Sequence, residues 1–148
     1  MKYFLILCCI CFYSAGIAQY RVDGTWEGTI TQERPVPKTE HKFQLVLKRE
    51  GKKIKGTAYI FYDDEPVAMD LSGEYFSDRS MRLFNHTIVY PSQNPDKKKH
   101  LRKYQILYKR SVWGDTIEGY WQEINDPIFA KYRKGKVELK RQEKINKA

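Results

Sequence analysis

Apolar side chains recur at every second position along most of this chain, and no stretch sustains the spacing of an amphipathic helix. Trp26, Gly28 and Ile30 alternate with Thr25, Glu27, Thr29 and Thr31. Phe43, Leu45 and Leu47 alternate with Lys42, Gln44 and Lys48. The turn Glu50-Gly51-Lys52 follows, and then Ile54, Gly56, Ala58 and Ile60 share a face. Asp63-Asp64-Glu65-Pro66 marks the next break. Beyond it Val67, Met69, Leu71 and Tyr75 face one way, while Asp70, Ser72 and Glu74 face the other. One-sided strands of this kind belong to an antiparallel sheet with one wet face.

The second half is less regular. Ser80 to Tyr90 has strand composition but apolar residues on both faces, which leaves its register open. Pro91 to Asp96 is a loop by its turn residues. Leu101 to Lys109 and Thr116 to Ile124 read as strands around a turn at Gly114-Asp115, and Lys136 to Arg141 closes the domain. Gln142 to Ala148 is a polar tail. The sum is an all-β chain of about eight strands in an up-and-down meander. The one long early loop, Gln32 to His41, carries Pro35 and Pro37. An apolar residue, any residue, then glycine recurs at Trp26-Glu27-Gly28, Ile54-Lys55-Gly56, Leu71-Ser72-Gly73 and Ile117-Glu118-Gly119. Glycine inside a strand marks a bend or a close backbone approach. Four such bends favour a sheet coiled into a closed barrel over a two-sheet sandwich, and closure also removes exposed edges.

The first eighteen residues depart from this pattern. Lys2 precedes an uncharged apolar run from Tyr3 to Tyr13, and Ser14, Ala15, Gly16 and Ala18 supply the small residues of a signal-peptidase site before Gln19. The run is short for a membrane span. The expected product is one domain, residues 19–141, that is periplasmic or secreted and has no transmembrane span. Cys8, Cys9 and Cys11 all lie in the segment removed. A lipid-modified cysteine is a poor fit, because Leu7, Cys8 and Ile10 precede them. The domain therefore has no disulfide and no thiol nucleophile, and packing alone must hold it together.

Charge adds a partner class. The chain carries a net +9, or +8 without Lys2, a balance that favours anionic surfaces and polymers. Lys97, Lys98, Lys99, Arg102 and Lys103 form one basic block, and Lys131, Arg133, Lys134, Lys136, Lys140 and Arg141 another. The interleaved Tyr104, Tyr108 and Tyr132 would suit stacking on nucleic-acid bases, but export argues against nucleic acid. Anionic lipids or glycans of the cell envelope fit the compartment better.

Catalytic patterns are absent from the sequence. His41, His86 and His100 lie in separate segments without metal-ligand spacing. Asp63-Asp64-Glu65 reads as a solvated hairpin tip rather than a calcium loop. Glu27, Glu118 and Glu123 are the carboxylates that could pair on a barrel wall, but Glu27 and Glu118 share the parity of the wet face. Neither a metal nor a cofactor is implied, and a non-enzymatic domain is the expectation. The inward set is more informative. Trp26, Phe43, Met69, Tyr75, Tyr108 and Trp121 would line an interior that either holds a small apolar or amphipathic molecule or is simply filled by these rings.

The run Gly24-Thr25-Trp26-Glu27-Gly28-Thr29-Ile30 resembles the opening strand of calycin-type barrels, the lipocalin and avidin-like group. That resemblance implies that Trp26 plugs one end of the barrel under a basic residue of the last strand, with Lys140 and Arg141 as candidates. The run Gly114-Asp115-Thr116-Ile117-Glu118-Gly119-Tyr120-Trp121 resembles small lipocalin-like proteins exported by Bacteroidetes-type bacteria. The inward aromatic set together with the opening strand points to a non-enzymatic binding module holding a small apolar or amphipathic molecule. The alternative is an envelope interaction protein with a packed core and a working basic outer face.

Overall fold

A computed structural model describes residues 22–34, 36–90, 101–124 and 133–143. The expected signal segment, Lys97, Lys98, Lys99, His100, Lys131, Tyr132 and the chain beyond Glu143 lie outside the described residues. Eight strands follow in order: β1 Gly24–Arg34, β2 Thr39–Glu50, β3 Lys53–Tyr62, β4 Glu65–Tyr75, β5 Ser80–Tyr90, β6 Arg102–Lys109, β7 Thr116–Glu123 and β8 Lys134–Arg141. Each pairs antiparallel with the next, and β8 pairs back onto β1 to close an up-and-down barrel.

The alternation read along the chain becomes the inside and outside of the wall. Trp26, Leu45, Ala58 and Met69 are buried and in register with their neighbours across β1 to β4. In β5 the open register resolves with Met81, Leu83 and Asn85 inward. The first loop is shorter than expected. The ladder continues through Thr31↔Glu40 and Gln32↔Thr39, so only residues 35–38 connect β1 to β2. The polar residues there read as loop because the strand ends project past the apolar core into water.

Curvature comes from the recurring glycines. A Cβ on Gly28 would stand 2.0 Å from the Glu138 carbonyl oxygen, and the same conflict with a neighbouring carbonyl arises at Gly56, Gly73 and Gly119. All four face inward, where tight coiling brings adjacent backbones too close for any side chain.

The two ends differ. Both termini of the barrel and the β2–β3, β4–β5 and β6–β7 turns lie at the base. There Val22 is fully buried and its carbonyl accepts a 2.9 Å hydrogen bond from Trp26 Nε1. Of the two basic candidates, Arg141 covers Trp26, with its guanidinium 4.3 Å from the ring centre, while Lys140 is exposed. Arg141 also donates to the Asp23 carbonyl at 2.8 Å and pairs with Asp115 at 3.3 Å. Tyr108 packs edge-on against Trp26 and donates to Asp115 at 2.7 Å. Gln142, read as tail, still donates its backbone N–H to Thr25. The mouth is the opposite end, where β1–β2, β3–β4, β5–β6 and β7–β8 connect.

Candidate functional site

The six interior candidates are all buried in one hydrophobic cluster, but they divide between the two ends. Trp26 and Tyr108 belong to the base plug. Tyr75 is at the base as well, under the Arg49 guanidinium at 3.9 Å. Phe43, Met69 and Trp121 lie higher, and each is linked to a polar group near the mouth.

That group is built around Arg102. The sequence places it in a basic surface block, and the structure corrects this: Arg102 is only 6% exposed and points into the barrel. It has the parity of Tyr104, Ile106 and Tyr108 on β6, so the strand period outweighs the charge of its neighbours. Lys103 faces outward, beside a surface depression that also touches Glu33, Gln122 and Lys134.

Each contact of Arg102 has a local cause. The β5–β6 ladder ends at Phe84↔Lys103. The Asn85 side chain then replaces it, with Oδ1 accepting from the Arg102 backbone N–H at 2.5 Å and Nδ2 donating to Met69 sulfur at 3.1 Å. The guanidinium lies 4.4 Å from the Trp121 ring centre and donates to the Tyr62 hydroxyl at 3.2 Å. Trp121 is itself fixed by a 2.8 Å bond from Nε1 to the Thr31 carbonyl. Gly135 makes that bond possible, since a Cβ there would stand 1.6 Å from the same carbonyl oxygen and 2.9 Å from the indole nitrogen. Tyr104 stacks on Phe43 at 5.9 Å. At the rim, the His41 and Tyr62 rings meet at 4.7 Å and are partly exposed.

The electrostatics are unusual for an interior. Arg102 Nε and the Tyr104 hydroxyl are buried without a hydrogen-bond partner. Burial works against the Arg102 charge, but the Tyr62 and Tyr104 oxygens more than offset it, so the guanidinium stays cationic. Burial pushes the Tyr104 phenol above its ordinary range despite the opposing pull of Arg102. The site thus holds a buried Arg102 Nε–H and a buried Tyr104 O–H beside each other, with the buried Glu123 side chain across the ladder from Arg102. Such a pair can receive an anion or a strong acceptor.

The glutamates do not assemble. Glu27 accepts from Gln44 on the outer wall, Glu118 pairs with Lys109 at 2.5 Å on another part of that wall, and Glu123 is buried across from Arg102. Among the described residues no three His, Cys, Asp or Glu side chains group as a metal would need.

No family model and no curated protein matches the chain. The closed eight-stranded antiparallel barrel is therefore established by its strand pairing alone. Arg102, Tyr104 and Tyr62 were not among the interior candidates. The period-two signal that put Tyr108 inside extends back along β6 through Ile106 to Tyr104 and Arg102.

Proposed function

We propose that this protein is an exported, non-enzymatic binding module. Its barrel takes a small amphipathic molecule at the mouth, acidic head inward on Arg102 and Tyr104 and apolar part along Tyr62 and His41. The observation that carries the reading is the buried Arg102 with an unused Nε. Taking a charge out of water costs several kcal/mol, and a buried charge set in a cluster of perturbed groups is a functional-site candidate. The base is filled by Trp26, Tyr108 and Arg141, which directs the ligand to the mouth. Arg141 over Trp26 also supports the calycin-type reading of the fold.

Calorimetric titration of the purified protein with dodecanoate and with dodecanol tests this. The acid is expected to bind at least about tenfold more tightly, since a charge-assisted hydrogen bond contributes roughly 1.5–3 kcal/mol. Equal affinity for acid and alcohol, or binding of neither, would remove Arg102 from the account.

A second reading, an envelope protein working through its outer face, draws support from a groove of about 570 Å³ across β5 to β8. Arg82, Lys109, Lys136 and Tyr120 line it, together with Glu118 and Glu138. Glycan binding that is lost on changing Arg82 and Lys136 to glutamine, with dodecanoate uptake absent, would favour that reading.

A further inference from the structure

We infer that the β6–β7 turn at the base is a membrane-docking tip that seats Val112 and Trp113 in the headgroup region of an anionic lipid bilayer. Both side chains are 95% exposed. The turn holds them there: Gly114 N–H donates to the Ser111 carbonyl at 3.2 Å, and Trp113 N–H donates to the Ser111 hydroxyl at 3.2 Å. Gly114, at φ 116°, occupies a conformation that other residues rarely adopt and lets the chain reverse immediately after the tryptophan. Two adjacent large apolar residues at the apex of a hydrogen-bonded turn are not a folding necessity, because neither touches the core.

The shape selects the partner. A stable protein interface needs roughly 800 Å² from each side, and a convex tip of two residues offers far less. A bilayer surface accepts such a tip, and tryptophan is enriched at the membrane–water interface. Charge points the same way. Arg110 precedes the tip, next to Lys109, which pairs with Glu118, and Arg79 lies on the adjoining β4–β5 turn, tied to β6 by its carbonyl on Tyr108 N–H. The acid that ends the turn, Asp115, is engaged by Arg141 and Tyr108. Asp78, on the neighbouring turn, is the opposing charge. Across the base, the β2–β3 turn adds Lys52 and Lys53, while Lys48 pairs with Glu50 at 3.5 Å. An apolar tip ringed by more bases than acids fits anionic headgroups, and each nearby Lys or Arg contributes about 1 kcal/mol there.

The chain reports its own docking. It has three tryptophans. Trp26 and Trp121 are buried, and the part of an emission change on adding vesicles that disappears in Trp113→Ser reads the tip. Vesicles of phosphatidylglycerol and phosphatidylethanolamine are expected to shift that emission to the blue at low salt, and phosphatidylcholine vesicles are not. Val112→Ser should weaken the titration roughly tenfold, and Trp113→Ser should remove the protein from the vesicle pellet. Both positions are outside the core, and an unchanged melting curve verifies that the variants fold. No shift with anionic vesicles, an equal shift with neutral ones, or full pelleting of Trp113→Ser would overturn the inference. The pelleting of Trp113→Ser does not read Trp121 and so separates docking from what the mouth holds.

Discussion

The guanidinium of Arg102 lies 4.4 Å from the centre of the Trp121 ring, and its Nε has no hydrogen-bond partner. At the other end of the barrel Arg141 covers Trp26 at 4.3 Å, but it also pairs with Asp115 and donates to the Asp23 carbonyl. The two arginines make the same contact with a ring and differ in what else they hold. Arg141 is occupied with closing the base, whereas Arg102 has capacity left over.

Substitution should separate these roles. Arg102→Met keeps the volume but removes the Tyr62 hydrogen bond and the Trp121 contact and leaves the buried Glu123 facing an apolar side chain, so it is expected to destabilise the empty barrel. Denaturant unfolding of ligand-free protein should show a loss of about 1–3 kcal/mol, with dodecanoate binding lost from the variant that still folds. Arg141→Met should cost about 2 kcal/mol through the lost ring contact and hydrogen bonds, with dodecanoate binding retained. Dodecanoate binding retained in folded Arg102→Met would assign that residue to the scaffold.

Tyr104→Phe tests the second donor. Its hydroxyl is buried without a partner, so removing it relieves a desolvation cost of up to about 1 kcal/mol. The empty barrel should melt at the same temperature or higher. Dodecanoate affinity should fall about fivefold to tenfold by calorimetry. Wild-type affinity in the variant would place the ligand away from Tyr104.

Alkaline pH should expose the buried phenols. Tyr104 is raised by burial, and Tyr108 is raised first by burial and then by its hydrogen bond to Asp115. In the unfolded chain both ionise near pH 10. The folded state keeps these protons longer, so its advantage is intact below about pH 10 and is lost as pH rises toward the folded values. An absorbance titration of the tyrosines should therefore show a late-ionising fraction. That fraction should merge with the rest once the protein unfolds and shrink in Tyr104→Phe.

Gly135→Ala addresses the seat of Trp121. The added methyl would overlap the Thr31 carbonyl that the indole binds. The expected cost is about 1–3 kcal/mol, together with a change in tryptophan emission from the displaced ring. An unaltered spectrum and stability would show that the wall yields at this point.

Most of the barrel was legible because burial on one face imposes a period of two, and that period runs cleanly from Trp26 to Tyr75 and returns in β6, β7 and β8. The glycines at 28, 56, 73 and 119 carried the closure, since their cost makes sense only where strands bend. Arg102 was misplaced for an equally physical reason. Its charge and its lysine neighbours indicate solvent, while its parity with Ile106 and Tyr108 indicates the interior, and only the closed sheet decides between them. The link from Trp121 to Thr31 spans ninety positions and leaves no local trace. Trp113 drew no notice because it sits in a turn, outside any alternating strand.

The most direct measurement is native against denaturing mass spectrometry of the protein isolated from its own host, beside Arg102→Met prepared the same way. The account predicts a defined excess mass on the parent that disappears on denaturation, belongs to an acidic amphiphile, and is missing from the variant. A bare chain mass on both, repeated across preparations, would contradict it and leave the barrel as a packed scaffold acting through its surface.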